Sequence, residues 1–189
     1  MSQPNHPFSA EFVEFLVEAK QHGYGSPDAD VSETPGGGRQ IVYQSGDWRY
    51  TDNFIGGLPF VGSETVSVRT NLNGNAEKDY TPVWGMSYVG KALDNGIKDD
   101  ELGDILGKIL ADPDPELPVR GPKVWQEDRL RYGYAADGGL DGFTLKEHLM
   151  KEGRIVYIAT FIGSIANTDN FNGEVTARLL ASVDNSVAV

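Results

Sequence analysis

The stretch Tyr-Gln-Ser-Gly-Asp-Trp-Arg-Tyr, residues 43–50, decides the fold that this sequence predicts. Its centre carries the turn-forming pair Ser45-Gly46, and residues with strand propensity lie on both sides. A two-residue turn at this pair is expected to place Tyr43 opposite Trp48 and Ile41 opposite Tyr50. Alternation then puts these four side chains on one face of a hairpin.

A related stretch, Trp-Gln-Glu-Asp-Arg-Leu-Arg-Tyr, occurs at residues 125–132. Aligning the two without a gap over 43–58 gives six identities, whereas average composition gives roughly one by chance. Phe60 and Glu64 then align with Phe143 and Glu147 after one inserted residue. This similarity indicates an internal duplication. The alternative is convergence, because sheet proteins reuse Tyr, Val and Gly in their strands.

A helix is predicted before each set of strands, at 9–22 and at 99–110, from apolar residues at helical spacing. Strands are predicted at 41–43, 48–54, 60–68 and 83–89, and again at 124–126, 129–134, 143–150 and 154–162. The segment 143–150 also suits a helical turn. Residues 23–40 are predicted as a flexible loop, and 70–80 as an exposed hairpin connection.

The predicted fold class is α+β, with duplicated helix-plus-four-strand antiparallel units forming one pseudo-twofold domain. The single domain covers residues 1–189, with a first unit at 9–90, a second at 91–163 and a C-terminal tail at 164–189. Within the tail, 173–182 favours a short helix. A pairing of two such units is expected to leave a cleft between them, where ligands commonly bind.

Composition restricts the partners. The 28 acidic and 16 basic residues give a formal charge of −12, which disfavours nucleic acid and anionic membrane. The chain has no cysteine, no apolar run long enough to span a membrane and no signal-peptide pattern near its start. These features predict a cytoplasmic protein; they leave the oligomeric state open.

The sequence lacks the standard catalytic and metal-binding motifs. His6, His22 and His148 are not spaced as metal ligands, so neither a metal nor a cofactor is predicted. There is no nucleophile elbow, and the glycines at 36–38 are not followed by the Lys-Ser or Lys-Thr of a phosphate-binding loop.

Carboxylates on apolar faces are the most informative feature. Alternation places Asp52 among aromatic residues of its strand and Glu64 among apolar residues of the next. A desolvated acid needs a partner, so Glu64 is expected to be buried and bonded to a Tyr, Trp or Arg of its own unit. The predicted ligand-binding set is Asp52, Glu64, Trp84, Tyr88, Glu147 and Tyr157. The alternative is that these acids and aromatic residues form a structural network and a core.

Several motifs resemble those of an uncharacterised bacterial domain-of-unknown-function family. They are Tyr43, Gly46-Asp47, Tyr50, Asp52, Gly56-Gly57, Phe60-x-Gly62-x-Glu64, Pro82-Val83-Trp84-x-Met86-x-Tyr88-x-Gly90 and Arg120-Gly121-Pro122. The likeness covers about residues 10–163. Members of that family occur alone or C-terminal to helix-turn-helix regulator domains. The resemblance therefore implies a sensing or ligand-binding role and supplies no catalytic residues.

Three functions remain open at this point. The first is a non-enzymatic module that binds a neutral or cationic small molecule. The second is a lyase, isomerase or hydrolase that uses Asp52, Glu64 and Glu147 as acid and base in the cleft between repeats. The third is a protein-interaction domain that uses its sheet edges. A common pocket for Glu64 and Glu147 would favour the first two.

Overall fold

A computed structural model describes residues 8–23, 26, 29–70, 80–93, 96–166 and 173–180 of the chain. The elements in chain order are α1 (Ala10–His22), β1 (Val31–Thr34), β2 (Gly38–Ser45), β3 (Trp48–Gly56), β4 (Phe60–Arg69), β5 (Tyr80–Ala92), α2 (Asp99–Leu110), β6 (Val124–Glu127), β7 (Leu130–Gly139), β8 (Gly142–Lys151), β9 (Arg154–Ile165) and α3 (Gly173–Leu179).

Nine strands of the described chain form one continuous sheet in the order β1-β2-β3-β4-β5-β9-β8-β7-β6. Every neighbouring pair is antiparallel. The last strand, β9, returns to the middle of the sheet and pairs with β5 from Trp84↔Ile165 to Ala92↔Tyr157. The first five strands and the last four are therefore joined at the centre of the sheet, and β1 and β6 form its edges.

This topology overturns the predicted fold class of duplicated helix-plus-four-strand units. The strands from both halves share one hydrogen-bonded sheet, and β1 adds a ninth strand within the predicted loop at 23–40. The similar stretches around Tyr50 and Tyr132 lie in two hairpins, β2–β3 and β6–β7. Gly56 and Gly138 both have positive φ, at 85° and 90°. The residues that the two similar stretches share are therefore those that the strands of a hairpin and the turns after them require.

The first hairpin differs in register from the sequence prediction. Ser45 lies opposite Trp48, so the turn residues are Gly46-Asp47, and Tyr43 faces Tyr50 rather than Trp48. Gly46 has a φ of 58°, which a glycine adopts without strain at the first central position of a two-residue turn. The predicted pairing is wrong because the glycine occupies the first rather than the second central position.

The helices cover one face of the sheet. α1 begins at the predicted cap, where the Ser9 side chain accepts a hydrogen bond from the Phe12 amide. Phe15 stacks on Trp48 and Tyr43, with ring centroids 5.8 and 5.9 Å apart. The apolar stripe of α2 is buried in the same hydrophobic cluster. Both helices and the burial of their stripes are confirmed.

The later segments resolve two further predictions. Residues 142–151 form strand β8, so the helical alternative at 143–150 is wrong. The short helix α3 confirms part of the predicted 173–182 helix, and Ser9 joins it by donating its amide hydrogen to the Leu179 carbonyl at 2.8 Å. Residues 71–79 of the predicted connection lie outside the described residues. None of the described helices is both long and apolar enough to cross a membrane.

Candidate functional site

Three carboxylates project from the helix-covered face of the sheet. Asp52 on β3, Glu64 on β4 and Glu147 on β8 are each 4% exposed or less. Their burial follows from strand alternation, since each acid lies in register with buried residues of its own strand. Removing an ionised carboxylate from water is costly unless charges or hydrogen bonds compensate it. The partners of each acid therefore indicate what it does.

Glu147 is fully compensated. Arg120 donates from Nε and Nη2 to its two oxygens, each at 2.8 Å, in a bidentate arrangement. The hydroxyls of Tyr132 and Tyr157 donate to it at 2.6 and 2.8 Å. Burial and the charge of Glu147 raise the pKa of both tyrosines, so they remain neutral donors. Four donors on one carboxylate make this a structural network.

Glu64 forms a buried salt bridge with Lys20, which comes from α1. The burial of Glu64 is confirmed. Its charged partner is Lys20 rather than an arginine, while the expected tyrosine is present, since Tyr50 shares a side-chain hydrogen bond with Glu64. Burial, and secondarily the charge of Glu64, raise the pKa of Tyr50. Trp84 instead donates its indole hydrogen to the Leu140 carbonyl at 3.0 Å.

Lys20 is a residue that the sequence interpretation missed. It is 6% exposed, and burial lowers its pKa while Glu64 opposes that shift. The sequence feature that could have identified Lys20 is its position four residues after Leu16, which places it on the apolar stripe of α1. A lysine at such a position needs an acid from the sheet beneath it.

Asp52 differs from the other two acids because no cation pairs with it among the described residues. The hydroxyl of Tyr88 donates to its Oδ1 at 2.6 Å. Burial, and secondarily the charge of Glu64, raise the pKa of Asp52 to about 7, against the opposing effect of the Tyr88 hydrogen bond. Asp52 therefore gains or loses its proton much closer to neutral pH than an exposed aspartate does.

A glycine opposite Tyr88 sets the position of this hydroxyl. Gly62 on β4 is the cross-strand neighbour of Tyr88 on β5. A Cβ at Gly62 would lie 2.4 Å from the Tyr88 hydroxyl, so only a glycine leaves room for the ring. The aromatic side chain covers the glycine and reaches across β4 to Asp52 on β3. Gly90 and Phe60 form the same type of glycine–aromatic pair two residues further along the two strands.

A cavity of about 300 Å³ lies between this part of the sheet and α2. Its polar lining includes Asp52, Glu64, Tyr88 and Arg120. Its apolar lining includes Phe54, Leu58, Phe60, Leu102, Leu106 and Phe161. Arg39 on β2 and the acids Asp99 and Asp100 at the start of α2 complete the charged residues around it. The combination of apolar walls and a few converging polar groups is typical of small-molecule sites.

The cavity separates the predicted site residues into two groups. Asp52, Glu64 and Tyr88 line it. Trp84, Glu147 and Tyr157 are buried elsewhere in the sheet face and do not line it, so Glu64 and Glu147 do not share this cavity. Arg120 lies between them, bound to Glu147 and lining the cavity. Binding by the predicted residues stays a prediction.

The fold and the cavity define a domain of one nine-stranded antiparallel sheet with helices on one face and a pocket between the sheet and α2. The chain belongs to the family described as Domain of unknown function (DUF5680), whose family model matches residues 52–166. That span includes Asp52, Glu64, Tyr88 and Arg120 but not Lys20. No curated protein and no solved structure matches the chain. Among the residues that the structure describes, no group of three or more His, Cys, Asp or Glu is arranged to hold a metal ion.

Proposed function

We propose that this domain binds a small organic molecule in the cavity between the sheet and α2. The observation that carries the proposal is Asp52, a buried acid that faces this cavity with a neutral tyrosine as its hydrogen-bond donor. A fold that required only stability would gain from an apolar residue there, since a buried acid without a paired cation is costly to remove from water. An acid that combines a raised pKa with a position in a cleft is a candidate for a functional site.

The dimensions and lining support the same function. A volume of about 300 Å³ lies at the lower end of the range for ligand sites, so the ligand is a small metabolite rather than a polymer. Phe60 and Phe161 supply apolar contact area, and Tyr88 and Arg120 supply hydrogen-bond donors that orient a ligand. The resemblance to domains attached to helix-turn-helix regulators supports a role in sensing such a ligand.

An acid–base enzyme is the second candidate, and one observation favours it. The pKa of Asp52 is raised to about 7, which suits a residue that gives and takes protons near neutral pH. Tyr88, at 2.6 Å, would orient the acid in such a reaction. A ligand that is recovered chemically unchanged after prolonged incubation with the domain supports the binding function, and one that is converted supports this alternative.

The cavity itself is tested by filling it. Gly103 on α2 lines the cavity, and a Cβ built there meets nothing within 4 Å. Gly103→Leu is therefore expected to occupy the cavity without removing a polar group. Gly103→Ala is the matched control, because it gives α2 most of the same gain in helix propensity with far less volume.

The experiment is a thermal-shift screen of neutral and cationic metabolites against the wild type and both variants. A ligand of the folded state raises the unfolding temperature by mass action. Compounds that stabilise the wild type and Gly103→Ala but not Gly103→Leu are the expected result. Compounds that stabilise all three proteins equally would place binding elsewhere, and a screen without any stabilising compound would contradict the proposed function.

A further inference from the structure

We propose that the ligand of this cavity carries a cationic nitrogen, which pairs with the Asp52 carboxylate. This inference rests on the proposed function and specifies the chemical class of the ligand. The geometry that carries it is the distribution of partners among the buried charged groups.

The four buried acids among the described residues differ in the groups that stabilise their carboxylates. Glu64 has Lys20, and Glu147 has Arg120. Asp114 accepts hydrogen bonds from the backbone amides of Glu116 and Leu117 at 2.7 and 3.3 Å and from the Tyr134 hydroxyl at 2.8 Å. Asp52 has the Tyr88 hydroxyl on Oδ1 and no ion pair among the described residues. Asp114 has no ion pair either, but three hydrogen bonds stabilise it, so Asp52 has the fewest partners of the four acids, and it lines the cavity.

The charges around the cavity favour the same occupant. Its lining contains four acids, Asp52, Glu64, Asp99 and Asp100, and two arginines, Arg39 and Arg120. The positive charge of Arg120 is already matched by its bidentate bond to Glu147, and the negative charge of Glu64 by its salt bridge to Lys20, which leaves Asp52, Asp99 and Asp100. Arg39 donates to the Gly56 carbonyl and lies over the Phe54 ring. An organic cation therefore enters a negative field, which an anionic ligand would not.

The aromatic wall completes the recognition of a cation. Phe60 lines the cavity beside Tyr88, with ring centroids 5.9 Å apart in an edge arrangement. An alkylammonium group at Asp52 would be near these ring faces, where cation–π attraction adds to the ion pair. Apolar substituents on the nitrogen would contact Leu102 and Leu106 of α2.

Binding of such a cation depends on pH through its surroundings. Asp52 is faced by Glu64 from β4, Lys20 from α1, Tyr88 from β5 and Arg120 from the segment before β6, with Tyr50 on its own strand. Arg39 from β2 and Asp99 and Asp100 from α2 line the same cavity. A cationic nitrogen replaces the proton on Asp52, so binding at pH 6 is expected to be weaker than at pH 8.

Benzylamine and benzyl alcohol are suitable probes, because they share a ring and differ in the charge of one polar group. Isothermal titration at pH 8 with the wild type is expected to show at least tenfold tighter binding of the amine. Asp52→Asn keeps an oxygen acceptor for Tyr88 and removes the charge, and it is expected to bring the two affinities within about twofold. Circular dichroism verifies that the variant is folded.

The possible results separate the two proposals. Equal binding of amine and alcohol to the wild type, lost in Gly103→Leu, would overturn the cation inference and leave the cavity as the ligand site. An amine preference that persists unchanged in Asp52→Asn would also overturn it. If neither probe binds the wild type, the cation inference is overturned, and a metabolite screen that yields no compound overturns the proposed function as well.

Discussion

The Tyr88 hydroxyl donates a 2.6 Å hydrogen bond to Asp52 across the intervening strand β4. Glycine at position 62 makes this contact possible, because any Cβ there would collide with the tyrosine. The sheet therefore holds a buried acid in a defined position next to a cavity. This arrangement has consequences that stability and titration measurements can detect.

Removing the tyrosine hydroxyl should change the titration of Asp52. The hydrogen bond from Tyr88 stabilises the ionised carboxylate and lowers its pKa against the effect of burial. Tyr88→Phe is therefore expected to raise the pKa of Asp52 above its wild-type value of about 7. Carbon-13 NMR of the carboxyl group measures this directly. A pKa that stays constant or falls would show that the hydroxyl is not an effective donor to this acid.

The raised pKa of Asp52 should make stability depend on pH. The folded protein holds this proton up to about pH 7, whereas the unfolded chain releases it near 3.8. Asp52 therefore stabilises the fold at low pH, and that contribution is lost between about pH 4 and pH 7, at up to roughly 1.4 kcal/mol per pH unit. Above pH 7 the contribution is constant and unfavourable.

Asp52→Asn should remove this dependence. Relative to the wild type, the variant is expected to gain in free energy of unfolding as the pH rises from 5 to 8, as measured by urea denaturation at each pH. Asp137→Asn on the exposed part of β7 is the control and should track the wild type. A constant difference between Asp52→Asn and the wild type over this range would contradict the assigned pKa.

Glu64→Gln should destabilise the protein strongly. It leaves the Lys20 ammonium buried without a charged partner, for which a loss of about 3–5 kcal/mol is expected. Adding Lys20→Met should recover much of that loss, because an apolar side chain then fills the same space. Glu127→Gln breaks the exposed pair with Lys108 and should cost less than about 1 kcal/mol. If Glu64→Gln and Glu127→Gln lower the free energy of unfolding by similar amounts, the pair of Lys20 and Glu64 is not desolvated.

Gly62→Ala should disturb Tyr88 while leaving the backbone conformation accessible. The added methyl group overlaps the ring and is expected to cost about 1–3 kcal/mol in free energy of unfolding. Tyr88→Ala in the same chain removes the overlap with the ring but not that with the Asn53 carbonyl oxygen, which lies 2.6 Å from the added Cβ, so the double variant should lose less than the sum of the single changes. Additive losses would mean that the Asn53 carbonyl, and not Tyr88, requires glycine at position 62.

Sequence periodicity determined much of the local structure. The alternation of Trp48, Tyr50, Asp52 and Phe54 placed the acid on the buried face, and the apolar stripes located α1 and α2 nearly to the residue. These features are local, because they follow from the repeat of a strand or a helix and from the cost of exposing apolar surface. Tyr88 was predicted for the site on the same basis, and it lines the cavity.

Only the tertiary structure decided how these elements combine. The pairing of β5 with β9 joins both halves in one sheet, which the similarity between residues 43–58 and 125–140 did not predict. Lys20 reaches Glu64 from 44 positions away, and Arg120 binds Glu147 from 27 positions away. Which cation meets which acid, and which acid has none, depends on the distances between packed elements rather than on any local repeat. The cavity at Asp52 exists because α2 lies over the sheet there, a result of the packing of the whole domain.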